Sequence, residues 1–159
     1  MGEKDIVEEG IKSALSLIAP DSMYFAHPVN FYEGSKFNSH GKTESNLIKK
    51  ISREFPNYKI HNPNQSIHQE NYQLWKKQFG NGMKYYFEVV LPKMSACIYL
   101  VFEDGMIGKG VFGEAEHLLQ AKKPVWEINE NGIITPISKM DHSRMLSVEE
   151  TRERVYPKK

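Results

Sequence analysis

The run from Cys97 to Phe102 constrains the fold of this chain more than any other segment. It is apolar at every position and is followed by Glu103-Asp104-Gly105, which closes it. A strand of a parallel sheet is apolar on both sides because helices cover both faces of the sheet. The run therefore predicts a buried strand in the middle of a parallel sheet.

Other strands and helices alternate along the chain. Short apolar runs predict strands over 23–26, 58–60 and 124–128. Amphipathic spacing predicts helices over 5–18, 43–55, 69–79, 83–94 and 111–122. Strands separated by helices form right-handed crossovers and pair in parallel. The predicted fold class is therefore α/β, with a three-layer Rossmann/flavodoxin-like arrangement, a mainly parallel sheet of four to five strands and helices on both faces.

The end of the chain carries two local signals. Asn131-Gly132 predicts a hairpin turn that returns as a strand over 133–137. Ser147 and Glu150 form a capping-box pattern, which predicts a last helix to about Val155. With 159 residues, the chain has the size of a single domain over 1–159. We divide it into an N-terminal helix (1–21), a core (22–128), and a hairpin with a C-terminal helix (129–159).

Charge and cysteine content exclude several classes of function. Lys plus Arg number 21 and Asp plus Glu number 20, so the net charge of +1 creates no field that would hold a nucleic acid or a membrane surface. No apolar stretch approaches the roughly 20 residues that span a bilayer. The single cysteine, Cys97, cannot form a disulfide within the chain, and the acidic N-terminus does not resemble a secretory signal. A cytoplasmic location is predicted.

Polar residues follow the predicted strands, where open parallel sheets bind ligands. The candidate ligand-binding residues at these exits are His27, Asn30, Asn62, Asp104, Gly108 and Gly110. The two glycines let backbone N–H groups approach a ligand at the N-terminus of a helix, which favours negative charge. His27 could donate to a sugar hydroxyl, a phosphate or a leaving base, although an ordinary loop or core hydrogen bond is the alternative. The histidines show no paired ligand spacing, so no metal is predicted.

Glu114 is the candidate catalytic residue with the clearest chemistry. The predicted helix places it in the first turn, where the helix dipole keeps a carboxylate ionised. An ionised carboxylate with one free face can attack an anomeric carbon. A capping role is the structural alternative, and spacing alone does not separate the two.

Several motifs, taken in order, resemble those of the nucleoside 2-deoxyribosyltransferase family. Gly110-Val-Phe-Gly-Glu114 is followed, nine residues after the glutamate, by Lys123-Pro124-Val125. Tyr24-Phe-Ala-His-Pro28 is similar to the family's first strand, and Asn62-Pro63 is similar to the exit of its second strand. The resemblance covers about residues 22–128.

The resemblance implies an enzyme without a cofactor that acts on a nucleoside or a nucleoside 5′-monophosphate. Glu114 matches a nucleophile that attacks C1′, Tyr24 matches the tyrosine that hydrogen-bonds it, and Glu88 is the nearest match to a second acid. The base leaves, and water or another base resolves the glycosyl-enzyme. Relatives of this kind assemble as homodimers or larger homo-oligomers, so the same is predicted here.

Two other functions stay open. Val111 stands where the family has a threonine, and Cys97 stands where an aspartate usually begins the third strand. These differences favour a non-catalytic nucleotide-binding or sensing module on the same fold. A structural or partner-binding domain is the third possibility.

Overall fold

The computed structural model describes residues 2–28 and 42–155. Its strands are β1 Ser22–Ala26, β2 Lys59–His61, β3 Ala96–Leu100, β4 Val125–Ile128 and β5 Ile134–Ile137. Its α-helices are α1 Glu3–Ser16, α2 Lys42–Glu54, α3 Ser66–Phe79, α4 Met83–Tyr85, α5 Lys109–Gln120 and α6 Val148–Val155. A π-helical turn, Tyr86–Val90, and a 3-10 turn, Leu91–Lys93, continue α4, and a second 3-10 turn spans His142–Arg144.

The five strands form one mixed sheet in the order β2-β1-β3-β4-β5. The first four strands pair in parallel, and β5 pairs antiparallel with β4. The prediction of an α/β chain with a mainly parallel sheet is confirmed. The hairpin before β5 is confirmed as well, because Gly132 takes the positive φ of 82° that this turn requires.

Side chains alternate between two apolar clusters along β1, as the pleat of a strand requires. Tyr24 belongs to a cluster that includes residues of α1, α3 and α5. Its neighbour Phe25 belongs to a separate cluster that includes Leu47 and Ile51 of α2. The two clusters leave every residue of β1 buried, so the sequence of this strand is apolar almost throughout.

The strand register places three side chains side by side. Tyr24 of β1 pairs with His61 of β2 and with Cys97 of β3. The chain adds β2 on one side of β1 and then β3 on the other, so the order of strands reverses between β1 and β3. Such a reversal point is where open α/β sheets form a crevice for ligands.

Two predicted element boundaries are wrong in ways that affect the candidate site. Helix α5 begins at Lys109 rather than at 111, so Glu114 lies in its second turn and the first turn contains no acidic residue. The Lys109 N–H donates to Oγ1 of Thr151 at 3.0 Å, a cap from far along the chain. His61 is the last residue of β2 rather than part of its exit.

Two predicted helices also differ in detail. The buried residues of α3 are His68, Asn71 and Trp75, whereas Phe79 at its end is 52% exposed. The segment predicted as a helix over 83–94 changes from α to π to 3-10 geometry. Pro92 contributes to this change because it lacks the N–H that a regular helix uses.

Helices α1 and α3 approach closely at Gly10. The side-chain amide of Asn71 donates to the carbonyl of Gly10 at 2.9 Å. A Cβ atom added at Gly10 would lie 2.2 Å from Oδ1 of Asn71. Asn71 also hydrogen-bonds Tyr85, so it cannot move away without breaking buried contacts.

We predict that Gly10→Ala destabilises the protein by roughly 1–3 kcal/mol, the usual cost of overpacking a core. Helix propensity alone predicts the opposite sign, by about 1 kcal/mol. Gly113→Ala is the matched control, since a Cβ there meets only Cζ of Phe87, at 3.7 Å. Urea unfolding of both variants measures the difference. A Gly10→Ala variant that is as stable as Gly113→Ala would contradict the close approach.

Candidate active site

Glu114 and Tyr24 form a buried pair between α5 and β1. Glu114 is 6% exposed and Tyr24 is 1% exposed. The Tyr24 hydroxyl donates a hydrogen bond to Oε2 of Glu114. The structure therefore brings together the predicted nucleophile and the tyrosine predicted to contact it, although they are 90 residues apart in sequence.

Burial controls the protonation of this pair. It raises the pKa of Glu114 to about 8, and the hydrogen bond from Tyr24 opposes that shift only in part. Burial and the nearby carboxyl of Glu114 raise the pKa of Tyr24 well above its ordinary value. The expectation that a helix dipole keeps Glu114 ionised is wrong, because the residue lies beyond the first turn and desolvation dominates.

A second group of buried polar side chains lies beside Tyr24. The ring of Tyr24 stacks on His61 with centroids 6.4 Å apart. Nε2 of His61 and Nε2 of His68 share a hydrogen bond of 2.8 Å, and Nδ1 of His68 lies 2.6 Å from the hydroxyl of Tyr85. Burial lowers the pKa of both histidines to about 4, so they are neutral at pH 7.

Sequence reasoning did not select His68 or Tyr85. The available signal was the spacing of His68, Asn71 and Trp75, which places two polar residues on the buried face of a helix. A buried polar residue needs a hydrogen-bond partner. The partner of His68 is His61 of β2, and the sequence of α3 alone does not reveal that partner.

The exits of β1 and β2 meet at Glu44, in the first turn of α2. Its carboxylate accepts hydrogen bonds from His27 at 2.8 Å, Asn62 at 3.0 Å and Asn64 at 3.1 Å. Burial tends to raise the pKa of Glu44, but His27 and the two amides outweigh it and lower that pKa. Sequence reasoning missed Glu44, although its place in the first turn of a helix was visible.

His27 and Asn62 thus contact Glu44 rather than the Glu114 pair. His27 also stacks on Phe25, with ring centroids 4.3 Å apart. Phe25 points to the opposite face of β1 from Tyr24. The structure therefore does not bring His27 to the predicted nucleophile.

Helix α6 covers the predicted anion site at the start of α5. Arg154 contacts both carboxylate oxygens of Asp104, at 2.8 and 2.7 Å, and this pairing lowers the pKa of Asp104 to about 2. Gly108 packs against Thr151, whose methyl carbon would lie 3.2 Å from an added Cβ. Gly110 is exposed and faces open space. Asp104 and Gly108 therefore contact side chains of α6 at the positions where a ligand was predicted to bind.

Glu88 is separate from the buried pair. Glu88 is exposed, and no hydrogen bond among the described residues joins it to Glu114. Asn30 lies outside the described residues.

Comparison of the chain with models of protein families, with curated proteins and with solved structures found no match. Within residues 2–28 and 42–155, no three His, Cys, Asp or Glu side chains are grouped to hold a metal ion. No helix in the same part of the chain is both long and apolar enough to cross a membrane. Fold and site together define an α/β protein with a buried carboxyl–phenol pair where its strand order reverses.

We predict that the raised pKa of Glu114 makes the protein less stable as the pH rises from about 4.5 to about 8. Between these two pH values the carboxyl of Glu114 is protonated in the folded state and ionised in the unfolded state. The stabilisation that comes from this bound proton is therefore complete below about pH 4.5 and absent above about pH 8. The slope is at most about 1.4 kcal/mol per pH unit.

Urea unfolding of the wild type and of Glu114→Gln from pH 5 to pH 9 measures this effect. The other titrating groups are shared, so the difference between the two curves isolates Glu114. We expect the stability of the wild type to fall relative to the variant and to level off above about pH 8. Parallel curves would show that Glu114 keeps an ordinary pKa.

Proposed function

We propose that the protein cleaves or exchanges the N-glycosidic bond of a nucleoside or nucleoside 5′-monophosphate, with Glu114 as the nucleophile. The observation that carries the proposal is the hydrogen bond from Tyr24 to Glu114, which joins the two residues that the family resemblance pairs. The nucleoside ligand, the homodimer and the likeness to nucleoside 2-deoxyribosyltransferases are parts of this proposal.

The strand order supports the proposed location of the active site. We propose a three-layer Rossmann/flavodoxin-like arrangement, because β2-β1-β3-β4-β5 is the order of flavodoxin-like sheets, here with an antiparallel last strand. Ligands of such sheets bind where the strand order reverses, between β1 and β3. Tyr24 and Cys97 are neighbours across this reversal point, inside β1 and β3 and short of their carboxyl ends, and Glu114 contacts Tyr24.

The contacts of Glu114 suit attack on C1′. Tyr24 holds Oε2, which leaves Oε1 for the substrate. In the first step Oε1 forms a bond to C1′ while the C1′–N bond breaks, and the electron pair of that bond leaves with the base, which takes a proton from water. In the second step water or another base attacks C1′, the C1′–Oε1 bond breaks with its electron pair returning to the carboxylate, and the proton of the attacking group goes to solvent. Tyr24 assists because its hydrogen bond favours the ionised form of Glu114.

A second candidate function is binding without catalysis. The raised pKa of Glu114 favours it, because a carboxyl that is neutral at pH 7 can donate a hydrogen bond to a nucleotide. The two candidates differ in the protonation state they need. Catalysis needs the ionised form, whereas this mode of binding needs the neutral form.

We predict base release or exchange when the protein is incubated with ribo- and deoxyribonucleosides and their 5′-monophosphates. Glu114→Gln should lower the rate by at least about 10³-fold, because it removes the nucleophile. Glu116→Gln is the matched control, since it makes the same change two residues away, where the carboxylate pairs with His142 at 2.7 Å. Chromatography of the free base measures turnover. Absence of turnover across the panel, or full activity in Glu114→Gln, rejects the enzyme hypothesis.

We also predict that kcat/KM rises with pH around a midpoint near 8, the pKa of Glu114 in the free protein. Tyr24→Phe should move the midpoint to higher pH, because it removes the hydrogen bond that lowers this pKa. Tyr99→Phe removes a similar hydrogen bond, to Glu127 at 3.0 Å, and should leave the midpoint unchanged.

The same pH series separates the two candidate functions. If Glu114 only binds a nucleotide through its neutral form, affinity should fall as the pH passes 8. An enzyme whose midpoint is the same in the wild type and in Tyr24→Phe would argue against assistance by Tyr24.

A further inference from the structure

The hydroxyl of Tyr86 is buried without a hydrogen-bond partner. Tyr86 is 4% exposed, and its oxygen is one of two buried side-chain polar atoms, with Nε1 of Trp75, that lack a partner in the described part of the chain. Folding removes such a group from water at a cost that an internal hydrogen bond normally offsets. A partner that binds from outside the chain would satisfy it.

The neighbouring Tyr85 shows that the chain can satisfy a buried phenol at this place. Its hydroxyl lies 2.6 Å from Nδ1 of His68, and its ring packs edge-on against Tyr86 with centroids 5.2 Å apart. Two adjacent tyrosines are therefore both buried, but only the first has an internal partner. The difference singles out Tyr86 within this pair of phenols.

The position of Tyr86 connects it with Glu114. The residue after Tyr86, Phe87, lies against Gly113, where an added Cβ atom would be 3.7 Å from Cζ of Phe87, and Gly113 directly precedes Glu114. Burial, and next the carboxyl of Glu114, raise the pKa of the Tyr86 phenol, so the hydroxyl remains a hydrogen-bond donor at every physiological pH. Tyr86 also begins the π-helical turn Tyr86–Val90, and π turns occur frequently at functional sites.

Reaction geometry decides which part of a nucleoside such a donor would meet. The carboxylate attacks C1′ from the face opposite the leaving base. A group beside the carboxylate therefore faces the sugar, and the base lies on the far side of C1′. Among sugar atoms, a hydroxyl oxygen is the natural acceptor for a phenol.

We propose that the Tyr86 hydroxyl binds a sugar hydroxyl of the nucleoside held against Glu114, and that it sets the preference of the site among sugars. This inference rests on the proposed function. A buried donor that is left unpaired by one sugar and paired by another discriminates between them strongly.

The test compares Tyr86→Phe with the wild type on ribo-, 2′-deoxyribo- and 3′-deoxyribonucleosides of one base. We expect kcat/KM to fall about 10- to 100-fold for the sugars that carry the bound hydroxyl and to stay unchanged for the sugar that lacks it. The melting temperature should stay the same or rise, because the substitution removes an unsatisfied polar atom. Equal losses on all three sugars, or no loss on any, overturn the proposal.

Tyr85→Phe is the matched control. It removes a hydroxyl that His68 uses, so the melting temperature should fall. Any loss of activity in this variant should be the same for all three sugars. A sugar-dependent loss in Tyr85→Phe equal to that in Tyr86→Phe would overturn the assignment to Tyr86.

Calorimetric binding of the same nucleosides to Glu114→Gln and to Glu114→Gln/Tyr86→Phe separates this inference from the proposed function. Weaker binding only for sugars with the hydroxyl supports Tyr86 even when the wild type turns nothing over. If the wild type turns the nucleosides over and both variants bind every sugar equally well, the proposed role of Tyr86 is rejected and the enzyme hypothesis is kept. Absence of binding by the wild type and by Glu114→Gln overturns both.

Discussion

The hydrogen bond between Tyr24 and Glu114 places an ionisable carboxyl in the apolar interior, where a strand and a helix meet. A buried carboxylate is costly unless it is paired or neutral, and burial here raises the pKa of Glu114 to about 8. The pair can therefore supply a neutral acid or, when it loses its proton, an unusually poorly solvated carboxylate. Both proposed functions depend on this one balance.

Two polar networks lie near the same strands but differ in charge. His61, His68 and Tyr85 are buried on the Tyr24 side of the sheet, where burial keeps the histidines neutral. Glu44, by contrast, keeps a lowered pKa because His27 and two asparagine amides surround it at the exits of β1 and β2. The Glu44 network holds strand exits to a helix, whereas in the buried pair only Oε2 of Glu114 accepts a hydrogen bond within the described part of the chain.

Much of the fold followed from local patterns. The apolar run of β3, the face of α1, the hairpin at Gly132 and the Ser147–Glu150 capping box all depend on neighbours within a few residues, and the structure has each of them. The errors arose where the partner is distant. Lys109 is capped by Thr151, Asp104 pairs with Arg154 and His27 contacts Glu44, and no local pattern reveals these pairings.

The sequence by itself determined that helices and strands alternate and that the sheet is mainly parallel, and its family resemblance made Tyr24 and Glu114 candidates for one site. The alternation and the parallel sheet follow from periodicity and turn residues, which are properties of short segments. Only the tertiary structure decided that Glu114 is buried with a raised pKa, that His27 contacts Glu44 and that the Tyr86 hydroxyl lacks a partner among the described residues. Solvation and hydrogen bonding depend on what surrounds an atom in space, and residues distant in sequence supply most of those surroundings.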